Sequence, residues 1–291
     1  MTNPIKFFLI SVIFSSLYFT QIYAQKEEKS LLYEISGNGL AQPSYIYGTI
    51  HMICKSDFIM MDATKDKFSK CQQVYLELDM DDPSMITEMQ KNMMITDGST
   101  LKTLMSETDY QKVATFFKDT LKTDIGMMVK MKPFVSSMIA LPKMMSCPTQ
   151  SYEETFMKMA KEQHKEILGL ESVGDQFGAL DKMGMKKQAD LMLVQMVEHW
   201  NEGKAEFQTM INDYKSQDID LLLEDMTKSK MSDIQFEKDL LETRNSNWVP
   251  KISKVASEKP TFFAVGAGHL GGEKGVITLL RKQGFTVKAV N

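Results

Sequence analysis

The chain is poor in the residues that most directly betray chemistry. Histidine occurs four times and cysteine three times in 291 residues. Cys54, Cys71 and Cys147 form no CxxC pair, so no paired-thiol metal or redox motif is present. One disulfide is possible in an oxidising compartment, most simply Cys54–Cys71, with three buried thiols as the alternative. Positive charge is not in excess. The 34 Lys and Arg face 38 Asp and Glu, a formal net charge of −4, which gives no reason to expect a nucleic-acid partner. Past the N-terminus no stretch approaches the roughly 18 apolar residues of a membrane span.

One apolar run does stand at the start. Phe7 to Phe14 is broken only by Ser11, Lys6 precedes it, and Ile22-Tyr23-Ala24 places a small residue before Gln25. A run this short with these flanks reads as a secretory signal peptide over residues 1–24, with a retained anchor helix as the alternative. No cysteine lies near the cut, which argues against a lipid anchor. Cleavage removes Lys6 and no acid, moving the net charge to −5. The mature protein is then expected to be exported, periplasmic or extracellular. Residues 25–291 are enough chain to bury one large core.

Sheet-forming signals lie near both ends. Leu31 to Ile35 reads as a strand closed by Gly37-Asn38-Gly39, and Tyr45-Ile46-Tyr47 as a second. A helix is expected from about Asp57 to Lys70 with Ser56 as its cap. Val74 to Met80 alternates, with Val74, Leu76 and Leu78 facing one way and Tyr75, Glu77 and Asp79 the other. From about 83 to 250 the pattern is mainly helical, clearest over Lys186 to Trp200, and interrupted by the apolar run Glu166 to Leu170. The end returns to strand, helix and strand: Phe262 to Val265, Lys274 to Gln283, then Phe285 to Val290, with Gly284 as a helix terminator. These signals predict an α/β (α+β) fold, with a central mixed sheet built from N- and C-terminal segments and a large helical insertion or cap at about 83–250.

Two Gly-x-x-His elements, ending at His51 and His269, each follow an apolar strand. Glycine there permits a sharp turn, and the histidine three residues on is presented at the strand's C-terminal end. In open α/β sheets ligands bind at that edge. Imidazole ligates divalent transition metals and acts as a base near neutral pH. A metal site also needs anionic ligands. Glu77, near the end of the strand that follows His51, is the first candidate. Glu171, just past the apolar run, is the second. A buried carboxylate requires a partner, and Arg244 is a candidate for that task or for holding an anionic transition state. Plain alternatives exist for each: loop histidines, a solvated strand face, an exposed helix arginine. His164 and His199 lie in charged helical surroundings and read as surface residues.

Five segments carry a resemblance: YIYGTIH at 45–51, VYLELDM at 74–80, GLESVGDQ at 169–176, ETRNSNWVPKI at 242–252 and FFAVGAGHLGGEKGVITLLRKQGF at 262–285. Together they resemble the TraB/PrgY/GumN family, which includes the Tiki metalloproteases. The resemblance covers nearly all of the mature chain and implies an α/β core with a helical insertion. It also implies metal-dependent hydrolysis with His51, His269 and Glu77 as the metal-linked residues. Glu171 and Arg244 fall where the family also has an acid and an arginine.

The resulting expectation is a metal-dependent hydrolase, a peptidase. It would use Mn²⁺, Co²⁺ or Zn²⁺ on a peptide or small-molecule substrate, with Glu171 as base and Arg244 on the oxyanion. A non-catalytic exported binding protein of the same fold is the alternative. The 25 methionines add a third possibility, a Cu(I) carrier, and a fourth, a pliable groove for apolar peptides. Their scatter favours ordinary helical core.

Overall fold

Six strands in the order β6-β4-β7-β2-β1-β8 organise the computed structural model, which describes residues 29–145, 147–228, 235 and 238–291. The strands are β1 Leu32–Gly37, β2 Ser44–Thr49, β4 Gln73–Leu76, β6 Glu166–Gly169, β7 Thr261–Gly266 and β8 Phe285–Ala289. β6, β4, β7 and β2 run parallel to one another, and β1 and β8 complete the sheet in antiparallel fashion. The sheet is therefore mixed and joins chain segments from both ends. The apolar run in the middle contributes its edge strand, β6. The stretch 1–24 read as a signal peptide lies outside the described residues. No helix among the described residues is long and apolar enough to cross a membrane.

β2 and β7 are buried almost throughout, as expected of parallel strands covered on both faces. Adjacent residues of β7 show the two covers. Phe262 packs edge-on to Phe68 of the helix Asp62–Lys70 and against Phe156 of the helix Tyr152–Glu162. Phe263, pointing the opposite way, meets Tyr75, beside the helix Arg244–Glu258 that carries Lys251. Gly37, Asn38 and Gly39 all adopt positive φ in the turn after β1, and Gly284 does so before β8.

Three local expectations are corrected. The first helix begins at Asp62, with Met61 rather than Ser56 at its start. The preceding residues are held by tertiary contacts instead: Phe58 stacks on Tyr152, whose hydroxyl accepts from Ile59 N and donates to Ile59 O. The strand expected to reach Met80 ends at Leu76, although Leu170 N and Glu171 N still bond to Leu76 O and Glu77 O. The disulfide joins Cys54 to Cys147, not Cys54 to Cys71. A small hairpin of β3 (Ile53–Cys54) and β5 (Thr149–Gln150) brings those two together with Cα atoms 5.7 Å apart. Cys71 instead closes the first helix, buried, with its thiol on Lys67 O.

A second apolar cluster, formed by helices of the central region, includes Leu101, Val113, Phe117, Leu193 and Met196. Met128, Met145 and Met196 are buried, whereas Met127 is largely exposed. The helix read over 186–200 contains a π-helical stretch at Asp190–Gln195, and a second one, Lys238–Thr243, leads directly into Arg244. Apolar periodicity alone does not announce either.

Candidate active site

Parallel pairing makes one edge of the sheet the C-terminal end of four strands. His51 follows β2, Glu77 follows β4, Glu171 follows β6 and His269 follows β7. The register of β2 against β7 sets Gly48 beside Val265 and Thr49 beside Gly266. Neither glycine of the two Gly-x-x-His elements takes a positive φ, so the sharp-turn role expected of them is not what they provide. They provide close approach. A Cβ on Gly48 would lie 2.9 Å from Leu270 Cδ1 and 3.1 Å from Ala267 Cα. One on Gly266 would lie 3.2 Å from Glu77 Oε1.

Arg244 is the hub. Its Nη2 donates to Glu77 Oε2 and to Glu171 Oε1, both at 2.6 Å, and its Nε adds bonds to Glu171 at 3.0 and 3.1 Å. Nη1 lies 3.0 Å from His269 Nε2 and donates to Leu240 O in the preceding π-helical turn. Trp248, one helical turn on, donates from Nε1 to Glu171 Oε2, and its ring lies under the guanidinium at 4.6 Å. All these groups are buried; the Arg244 side chain is 6% exposed.

The tautomer of His269 follows from its neighbour. Asn245 Nδ2 donates to His269 O and Lys274 O, so its Oδ1 must face His269 Nδ1, 2.6 Å away. Nδ1 therefore carries the hydrogen and Nε2 the lone pair. Burial pushes this imidazole down to about 3, so it is neutral. Glu77 lies with Oε1 3.9 Å from His269 Nε2. Gly266 N donates to Glu77 Oε1, and Gln176 Nε2 to Oε2. Gln176 is placed by the helix Val173–Asp181, whose start Ser172 and Asp175 cap reciprocally. Burial alone would raise the Glu77 carboxyl, but the positive groups around it outweigh burial and hold it below the usual range. With His269 neutral, that lowering rests on Arg244, on the charge of His51 and on the Gly266 N–H. Burial pushes the Glu171 carboxyl up, against the pull of Arg244.

His51 stands apart from this hub. Its side chain is 73% exposed, and its Nδ1 lies 2.9 Å from Glu153 Oε1. Glu153 is held by Thr49 and Ser151 hydroxyls in the first turn of the helix Tyr152–Glu162. The hydrogen bond to Glu153 raises the imidazole to about 9, and water on the open face screens the pairing. His51 and the Gly266–Gly268 backbone line one cavity of about 220 Å³. The structure thus brings Glu77, Glu171, Arg244 and His269 into contact and sets His51 at an adjoining cavity. His164 and His199 are exposed.

The donor chemistry suits a divalent cation in part. A neutral imidazole nitrogen and an ionised carboxylate converge, and with both carboxylates ionised, Glu77 and Glu171 carry one more negative charge than Arg244 balances. Still, Arg244 rather than a third donor lies between them. Among the described residues no three His, Cys, Asp or Glu side chains form a ready metal cluster.

Sequence reasoning did not find Asn245, Gln176, Trp248 or Glu153. Asn245 adjoins Arg244, one of only two arginines in the chain, and Trp248 lies one helical turn beyond it, and that was the available signal. Glu153 resembles any acid in a helix's first turn.

Fold and site together define an open α/β protein with a polar constellation at its parallel strand ends. The chain belongs to the TraB/PrgY/gumN family, whose model matches residues 31–289. It is 21% identical to metalloprotease TIKI2 of Danio rerio, over 91% of this chain and 62% of that protein. The metalloprotease TIKI homolog of Nematostella vectensis is 22% identical, over 85% of this chain and 65% of its own. Metalloprotease TIKI1 of Homo sapiens is 22% identical, over 91% and 62%. The chain thus spans less than two thirds of the relatives' length. No solved structure matches it.

Proposed function

We propose that the protein is an exported metal-dependent hydrolase, a peptidase, whose centre is the Glu77–His269–Arg244 constellation. The observation that carries this reading is the convergence of three parallel strand ends, those of β4, β6 and β7, on a buried site, with a neutral imidazole and two carboxylates against one guanidinium. His269, Glu77 and, from the rim of the adjoining cavity, His51 would hold a divalent ion such as Mn²⁺, Co²⁺ or Zn²⁺. Such an ion, when bound, supplies Lewis-acid polarisation of a carbonyl and lowers the pKa of a water. The resemblance to Tiki metalloproteases supports the peptide as substrate.

The chain's own residues have separable tasks. Asn245 keeps the hydrogen on His269 Nδ1, so Nε2 keeps the lone pair that meets Arg244 Nη1 and that an ion would take over. Glu153 does the same for His51 by accepting from Nδ1, although a cation there competes with a proton on Nε2. Arg244 is held where a donor to an oxyanion is useful. Glu171, considered above as a base, has both oxygens engaged by Arg244 and Trp248, which favours a positioning role for it. The helices of the insertion, about 83–250, supply the outer wall. Export is supported by the N-terminal apolar run and by the Cys54–Cys147 bridge.

A binding protein without turnover is the second reading, favoured by one observation: Arg244 already satisfies the donors. Incubating the purified protein with a peptide library, with each ion or with chelator, separates the two. Ion-dependent cleavage that disappears in His269→Ala and His51→Ala, with circular dichroism unchanged, supports the hydrolase. Cleavage surviving in either variant removes this assignment, and peptide retention without cleavage under all three ions selects the binding protein.

A further inference from the structure

The cavity beside His51 is not used by the polar constellation, and its walls differ from it in kind. Ile50, Met52, Leu141, Phe207, Met210 and Met226 line it, all of them only partly buried. Apolar side chains from separate elements thus leave part of their surface uncovered, and they leave it toward one space. Its polar neighbours are already committed. The Tyr214 hydroxyl donates to Gly48 O at 2.9 Å, and the Thr49 hydroxyl to Glu153 at 2.6 Å. Gly268 belongs to the wall as backbone alone, since a Cβ there would come within 3.2 Å of Met226 Sδ.

We infer that this cavity receives an apolar side chain of a peptide, of the size of Leu, Met or Phe, adjacent to the bond presented to the site. The inference rests on the hydrolase reading for its placement beside the chemistry, through continuity: Gly266, whose N–H holds Glu77, also lines the cavity, as does His51, which that reading makes a ligand. Three considerations fix the occupant. A charged side chain would lose its water and find no partner except His51, which Glu153 holds. An apolar one covers the exposed faces of Phe207 and the methionines. Three thioether side chains, Met52, Met210 and Met226, make walls that repack around differing shapes, which predicts tolerance among apolar residues rather than selection of one.

The test uses fluorescein-labelled pentapeptides that differ only at the central residue: Leu, Met, Phe, Ala, Asp or Lys. Their binding to the intact protein is read by fluorescence anisotropy in chelator. Leu, Met and Phe are expected to bind at least about tenfold tighter than Asp or Lys, the scale on which apolar pockets discriminate. Met210→Asp should erase that preference, and Met210→Trp, which fills the space without charge, should lose Leu and Phe while retaining Ala. Leu141→Trp fills it from another wall and replaces these variants if they do not fold. Binding indifferent to the central residue, or a preference unchanged in the folded variants, overturns the inference. Ion-dependent cleavage without apolar preference overturns the pocket and leaves the hydrolase. Apolar preference in binding with no cleavage under any ion does the reverse.

Discussion

The two Gly-x-x-His elements are alike in sequence and opposite in circumstance. His269 is sealed in the core, with Asn245 on one nitrogen, Arg244 on the other and Trp248 against its ring at 4.4 Å. His51 faces water, tethered by Glu153 from the first turn of the helix Tyr152–Glu162. The same glycine spacing therefore delivers one histidine into a fixed polar network and the other to the rim of an apolar cavity. A fixed half suits chemistry that tolerates little displacement, and an open half suits entry of a ligand.

That contrast can be broken first at Arg244. Arg244→Ala leaves the buried Glu77 and Glu171 carboxylates without a counter-charge, and in chelator it should lower unfolding stability by about 3–5 kcal/mol. Arg244→Lys should not restore it, because a point ammonium cannot reproduce the forked contacts. A denaturant midpoint close to wild type would mean that the network is not the keystone of the core side.

Asn245→Ala should cost about 1–3 kcal/mol, since it strips the partner from His269 Nδ1 and two bonds from backbone carbonyls. Glu153→Gln on the other side should change stability by less than about 1 kcal/mol, because His51 is solvated. Both should weaken divalent-ion binding, by roughly 10–100-fold. Equal stability losses would abolish the distinction between a locked and an open half.

The two halves should also differ in their slopes with pH, measured in chelator, which should have opposite signs. His269 is depressed to about 3, below its unfolded value near 6.5, so its contribution is present above about pH 6.5 and lost as pH falls toward 3. His51 is raised to about 9, so its contribution is present below about pH 6.5 and lost as pH rises through 9. Stability of His51→Ala, compared with wild type between pH 6 and 10, should lack the alkaline loss. An identical alkaline profile in the variant would detach His51 from Glu153.

Much of the site was legible because strand ends are punctuated. Gly-x-x-His after an apolar run, an acid at the end of an alternating strand and an acid after EILGL mark the C-terminal edge without coordinates. What could not be read is which helix reaches that edge. Asn245, Gln176 and Trp248 act through helix phase and packing, and Glu153 looks like an ordinary first-turn acid. Ser56 was a plausible cap that lost to the Phe58–Tyr152 contact. Cys71 was the nearer partner of Cys54 in sequence, yet the β3–β5 hairpin chose Cys147. In each case a long-range contact decided what local pattern left open.

Titration calorimetry of Mn²⁺, Co²⁺ and Zn²⁺ into the purified protein tests the central claim most directly. The account predicts one bound ion per chain, lost in Glu77→Gln and in His269→Ala and retained in His164→Ala, whose imidazole is exposed. Ion binding that persists undiminished in both Glu77→Gln and His269→Ala would contradict it.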